Sequence, residues 1–252
     1  MKFKTPSSEY NQKFYRDISN SSYNSAKIYL KYLWQFIQPV SVLDVGCGKG
    51  AWLKACYENG SKKLLGFDGN WINQYDMLSN VIEFKSVDLN NEFYVDEKVD
   101  LTLSLEVAEH LKRESSNKFI ECLTKTSDAI LFSAAYKNQG GTDHINENKH
   151  SYWAKIFANY DYKPFDLFRP KFWGDIRIGF WFRQNSFLYI KKDSVLFKKF
   201  MKHNIKEINN LDFMDCVHPQ LYDYKCGEGI SFSIHAKNIL PSFFKAIIRR
   251  LK

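Results

Sequence analysis

Apolar residues recur along this chain in two spacings. Short, compact runs rich in Val, Leu, Ile and Phe fall at residues 41–45, 63–67, 81–85, 99–105 and 129–133, and each reads as a strand of a buried sheet. Between them the apolar positions space out at helical intervals, giving helices over 51–59 and 115–125. A further helix is expected over 22–38, on Ile28, Leu30, Leu33, Trp34 and Ile37, with Pro39 as its stop. Residues 1 to about 20 are polar with scattered aromatics and read as a loose arm or a lid. Alternating strands and helices predict an α/β fold built on a doubly wound parallel sheet, whose ligands bind beyond the carboxyl ends of the strands.

The first strand runs into Gly46, Gly48 and Gly50 and then a helix. Glycine supplies the tight turn and lets a ligand approach the backbone, and the helix start offers free N–H groups. The spacing is G-x-G-x-G, neither the dinucleotide G-x-G-x-x-G nor a phosphate loop, because Gly50 and Ala51 follow Lys49. Asp68 ends the second strand, 18 residues past Gly50 (68 − 50), where an acid accepts from ribose hydroxyls or caps the next helix. Trp71 covers a base there or simply packs, and Asp88, after the third strand, is a ligand acid or a turn residue.

The string V-L-D-V-G-C-G-K-G over 42–50 resembles motif I of class I S-adenosylmethionine-dependent methyltransferases. The resemblance implies a Rossmann-like, mostly parallel seven-stranded sheet closed by an antiparallel hairpin, with strand six after residue 160 and strand seven at 187–190. It also implies a cofactor site made of Asp44, Gly46, Cys47, Gly48, Gly50 and Trp52, Asp68 and Gly69, Asp88 and Leu89, and Leu105. In that family the leading acid (Asp44) holds the methionine amino group, the second acid (Asp68) the ribose, and the third (Asp88) the adenine amine.

Glu106, Glu109 and His110 stand at i, i+3 and i+4, one face of a helical turn, and two carboxylates so close call for a cation or a proton between them. The loop Gly140-Gly141-Thr142-Asp143-His144 follows the fifth strand and brings His144 to the same end of the sheet. Two Glu and two His suit Mg, Mn or Zn. The E-x-x-E-H block is similar to that of ubiquinone-pathway and small-RNA O-methyltransferases, which implies Glu106, Glu109, His110 and His144 as both the metal ligands and the catalytic set. Without a metal, His144 or His110 is the general base. His150 is the next candidate base, but at the start of the following helix it is expected on the surface.

The later aromatic stretches, from the Gly-Gly-Thr-x-His loop to the Trp-Phe-Arg-Gln-Asn-Ser-Phe segment, look like methyltransferases of bacterial surface-polysaccharide (capsule and O-antigen) gene clusters. The expected acceptor is therefore a small-molecule carbohydrate, nucleotide-linked or glycan-linked. Arg169, Trp173 and Arg177 either contact it or pack on the core. A catechol-like quinone precursor, an RNA 3′ terminus and a small phosphorylated capsule modifier are the other acceptors weighed. No separate RNA-binding module is evident, and DNA is not expected. Intact motifs argue against a non-catalytic cofactor-binding scaffold.

A net charge of +8 suits an anionic substrate, but the cations are spread along the chain. Five cysteines without a C-x-x-C pair argue against a disulfide framework, and residues 1–6 lack the apolar core of a signal peptide, so a cytoplasmic protein is expected. The expected organisation is an arm and helix over 1–40, a methyltransferase core over 41–192 and a helical extension over 193–252. In the extension Phe243, Phe244, Ile247, Ile248 and Leu251 share one helical face. That face would lie on an anionic membrane or, the favoured reading, dock on the body or on a second copy in a homodimer.

Overall fold

The computed structural model describes the backbone of residues 8–227 and the side chains of residues 21–227. In chain order the elements are α1 (Ser8–Leu33), β1 (Ser41–Val45), α2 (Ala51–Glu58), β2 (Lys63–Asp68), β3 (Ile82–Ser86), β4 (Leu101–Leu105) and α3 (Ser116–Thr126). They continue with β5 (Ala129–Ser133), α4 (His150–Ala158), β6 (Tyr162–Phe165), α5 (Arg169–Phe172), α6 (Phe180–Asn185), β7 (Phe187–Lys191), α7 (Val195–Lys202) and α8 (Pro219–Cys226). Helix α1 starts well before the expected residue 22 and ends at Leu33, short of Pro39; the residues expected to form an arm are helical from Ser8.

The seven strands form one sheet in the order β3-β2-β1-β4-β5-β7-β6. Strands β1 to β5 run parallel, and β7 is antiparallel to both β5 and β6. This is the Rossmann-like sheet with an antiparallel end that the sequence predicts. Chain order reverses between β1 and β4, so their connections leave in opposite directions and open a crevice at their carboxyl ends.

Strand alternation divides the core into two layers. Val42, Leu101, Leu103, Leu131, Leu188 and Ile190 face one side, where they meet α1, α2 and Phe200 of α7. Leu43, Val45, Ile130, Phe132, Phe187 and Tyr189 face the other, against Phe119, Leu123, Trp153 and Phe157 of α3 and α4. Aromatic stacking locks the first layer: Tyr29 lies against Phe168 at 4.6 Å and Phe172 at 5.1 Å, and edge-on to Trp52 at 6.1 Å.

The chain divides into a first unit ending at Cys216 and a second beginning at Val217. Of the second, α8 is described: the His218 side chain caps its start, Pro219 opens it, and Gly227 closes it in the left-handed conformation. The amphipathic face expected at 243–251 lies outside the described residues. All five cysteines are free. Among the described residues no helix is long and apolar enough to cross a membrane.

Trp52 is buried, edge-on to both Tyr29 and Phe182, so its expected place beside the cofactor coincides with a core position. Trp52→Ala should cost about 3–5 kcal/mol of unfolding free energy, read from urea melts, because the cavity left under α2 cannot collapse fully.

Candidate active site

Every acid singled out at the end of a parallel strand reaches the carboxyl edge of the sheet. The glycine loop is shaped by backbone demands: Gly46, Gly48 and Gly50 all have positive φ (84°, 51° and 78°). A Cβ on Gly46 would collide with the Val107 side chain, whereas one on Gly48 would meet nothing within 4 Å. Gly46 therefore closes the floor of the crevice and Gly48 faces open space where a ligand can approach. The amides of Gly46 and Cys47 are tied to the Phe67 carbonyl at 2.7 and 3.1 Å.

Asp44 and Asp68 sit in this floor. Asp68 Oδ2 accepts from the Gly48 amide and Oδ1 from the Gly69 amide, both at 2.7 Å. Burial still holds its carboxyl above the usual range, against the pull of those bonds and of Trp71. Asp44 is pushed up to about 8, first by burial and then by the charge of Asp68. A buried acid with no cation beside it among the described residues suits the ammonium group that the resemblance to motif I implies there. Leu105, Leu89 and Cys47 are all buried near the strand ends. Asp88 is exposed and spends its oxygens inside its own turn, accepting from Asn90 and Asn91.

The E-x-x-E-H block is not one helical face. Glu106 takes a left-handed φ of 56°, and only Ala108–His110 forms a short 3₁₀ turn. The kink sends Glu106 a different way: its oxygens accept from Asn185 Nδ2 at 3.1 and 3.2 Å. Glu106 keeps some exposed surface but is enclosed on its other sides, and that enclosure raises its pKa against hydrogen bonds from Asn185, Ser133 and Gln139 and the nearby His144. The other three expected ligands do meet. Ligand atoms of Glu109, His110 and His144 all lie within 4.8 Å of one another.

Within that trio Glu109 is fully buried, and neither carboxylate oxygen makes a well-directed hydrogen bond, although its own amide and that of Ala135 lie near. Burial, then the charge of Glu106, raises its pKa well above normal. The rings of His110 and His144 meet edge to face at 4.8 Å. Desolvation of the His110 ring, then its neighbour His144, lowers its pKa.

The loop after β5 is what brings His144 in. The amides of Ile145 and Asn146 both donate to the Glu109 carbonyl at 2.9 Å, and buried Asn146 bonds the Ala108 carbonyl and Ser116. His144 Nδ1 lies 2.8 Å from Glu147 Oε1, which also accepts from the Gly140 amide at 2.6 Å.

One site neighbour was missed by sequence reasoning and another was misplaced. Asn185 ends α6 just before β7, and because β7 runs antiparallel to β5, with Phe187 opposite Phe132, residues preceding it arrive at the carboxyl edge. Strand direction was the signal that could have found it. His150 is the other: expected on the surface, it is buried, with Nδ1 2.8 Å from the Met214 carbonyl and Nε2 2.9 Å from Asn185 Oδ1. Burial pushes its pKa down to about 4, so it is neutral in a relay behind Glu106.

The expected substrate residues separate. Arg169 is buried and engaged by Asp166 and the carbonyls of Phe213 and Met214, with its guanidinium over the Phe187 ring, so it braces α5 and offers no free donor to an acceptor. That corrects its assignment to substrate. Arg177 is exposed and paired with Asp175 at 2.6 Å, and Trp173 is half-buried.

These features define a class that comparison with known proteins supports. Residues 19–139 match the family model of a methyltransferase domain. The matched stretch is just under half of the chain, and over it the chain resembles a methyltransferase domain. The fold is shared with the mitomycin 7-O-methyltransferase MmcR (TM-score 0.51, 11% identity, covering 72% of this chain and 57% of that one). Also similar are the small RNA methyltransferase HEN1 (0.49, 18%, covering 67% and 25%) and human N-acetylserotonin methyltransferase (0.45, 14%, covering 61% and 48%). The chain thus spans about half the length of the human enzyme. No curated protein sequence matches it.

Asp44 gives a pH test. Its folded pKa of about 8 lies above the unfolded value of about 3.9, so the folded state binds the extra proton between them. Stability of the cofactor-free protein should fall as pH rises toward 8, and Asp44→Asn should flatten that fall in urea midpoints taken from pH 5 to 9.

Proposed function

We propose that this chain transfers the methyl group of S-adenosylmethionine to a sugar hydroxyl, nucleotide-linked or glycan-linked, in the building of a surface polysaccharide. The observation that carries the chemistry is the trio of Glu109, His110 and His144, with a buried carboxylate that lacks directed hydrogen-bond partners. A carboxylate in that state needs a proton or a cation, and two imidazoles within 4.8 Å make a divalent cation fit. Glu109, His110 and His144 would hold it, while Glu106 stays with Asn185 and adds negative charge beside them. Such an ion, when bound, lowers the pKa of a coordinated hydroxyl.

The chain's own groups do the rest. Asp44 holds the methionine amino end of the cofactor and Asp68 its ribose, and the open face over Gly48 admits it. Without the ion, His144 or His110 would accept the hydroxyl proton instead; either way the methyl passes in line from sulfur to oxygen, and the protein mainly aligns the two. Vicinal sugar hydroxyls match a cation that binds two adjacent oxygens. The polysaccharide setting rests on the resemblance of the segment from Gly140 to Phe187, and exposed Arg177 with Trp173 remain its proposed acceptor contacts.

Methyl-labelled S-adenosylmethionine incubated with sugar nucleotides, and separately with RNA 3′ termini and catechols, tests this by mass spectrometry. A methylated sugar that vanishes with chelator and returns with Mn²⁺ is expected. Glu109→Gln should lower turnover at least 100-fold while cofactor affinity by calorimetry changes little, and Asp68→Ala should do the reverse by abolishing binding. Transfer to RNA or catechol alone would sink the sugar assignment.

A further inference from the structure

We propose that Glu147 is a positioning residue that fixes the tautomer and ring direction of His144, and that Gly140 and Gly141 exist to make this clamp fit. The inference rests on the reading of His144 as a cation ligand or base.

Two bonds converge on one oxygen. Glu147 Oε1 lies 2.8 Å from His144 Nδ1 and accepts from the Gly140 amide at 2.6 Å. The pair is sheltered, with side-chain exposures of 13% for His144 and 15% for Glu147. An ionised carboxylate only accepts, so the proton between them belongs on Nδ1. The neutral ring then presents the Nε2 lone pair, the form needed to bind a cation or to take a proton. The Gly140 amide stops the carboxylate from rotating away, because a donor already fixes that oxygen.

The second glycine acts on the other side of the ring. A Cβ at Gly141 would collide with Cε1 and Nε2 of His144, so only a residue without a side chain leaves the ring where it is. The backbone of the same loop is pinned to the carbonyl of Glu109 through Ile145 and Asn146. One ring is thus held by a carboxylate at Nδ1, by a bare α-carbon near Nε2, and by a loop hydrogen-bonded to the very residue it must face. A carboxylate behind a histidine in this way typically changes metal affinity or activity by about 10- to 100-fold when removed.

Long-range ¹⁵N NMR of the imidazoles in the full chain without metal reads the tautomer directly. The wild type should show His144 protonated on Nδ1. Glu147→Ala should abolish that preference, Glu147→Asp should restore part of it, and Gly141→Ala should shift the His144 resonances with Glu147 intact. Mn²⁺ binding, followed by electron paramagnetic resonance, should weaken about 10- to 100-fold in Glu147→Ala and be partly rescued in Glu147→Asp. An Nδ1–H tautomer that persists unchanged in Glu147→Ala overturns the proposal, whatever the metal does. If the wild type binds no Mn²⁺ yet Glu147→Ala still loses the tautomer, the clamp stands and the cation reading falls. A circular dichroism melt of Glu147→Gln, which keeps the side-chain volume, separates a local effect from unfolding, since a shifted tautomer with an unchanged melt supports the clamp.

Discussion

The polar chemistry of this molecule depends on one constraint, that β1 and β4 lie side by side while their connections leave in opposite directions. Hydrogen-bonded strands cannot cover the space above their own ends, and helices on either face lean away from it. The space is therefore left to loops, and loops are where left-handed backbone concentrates here: Gly46, Gly48 and Gly50 after β1, Glu106 after β4, Gly140 and Asp143 after β5. Each of these residues turns the chain sharply enough to keep a carboxylate or an imidazole at the rim instead of sending it down a helix.

A consequence is that charge is crowded into a poorly solvated place. Asp44 and Asp68, then Glu106 and Glu109, form two acid pairs, buried except for the partly exposed Glu106, in which each member raises the proton affinity of another or suffers the same desolvation. The first pair suits the positive end of a cofactor, the second a cation or a proton. The backbone amides that bind Asp68 offset part of its cost, whereas Glu109 has no comparable set of donors. The acids are thus unequal: Asp68 and Glu106 are met by the protein's own donors, whereas Glu109 is left for something else to satisfy.

The fold was legible because its strands are short apolar runs with turns between them, and those runs fall where β1 to β5 lie. The glycine loop was legible because positive φ leaves a direct mark on residue choice. Less readable were side chains whose role is set by distant partners. Arg169 looked like a substrate group and instead braces carbonyls of Phe213 and Met214, more than 40 residues away. His150 looked like a surface residue at a helix start and instead fills a buried relay. The spacing of Glu106, Glu109 and His110 suggested one helical face, and a single left-handed residue broke that periodicity.

The insertion of β7 between β5 and β6 also sets an order of events during synthesis. β6 leaves the ribosome first but has no neighbour in the finished sheet except β7. Until residues 187–191 emerge, the apolar edge of β5 stays unpaired, and an open edge of that kind invites pairing with other chains. Asn185 arrives in the same few residues, so Glu106 gains its partner only when the sheet gains its last interior strand. A nascent chain stopped anywhere before this point would carry the glycine loop but neither a closed sheet nor a finished acid pair.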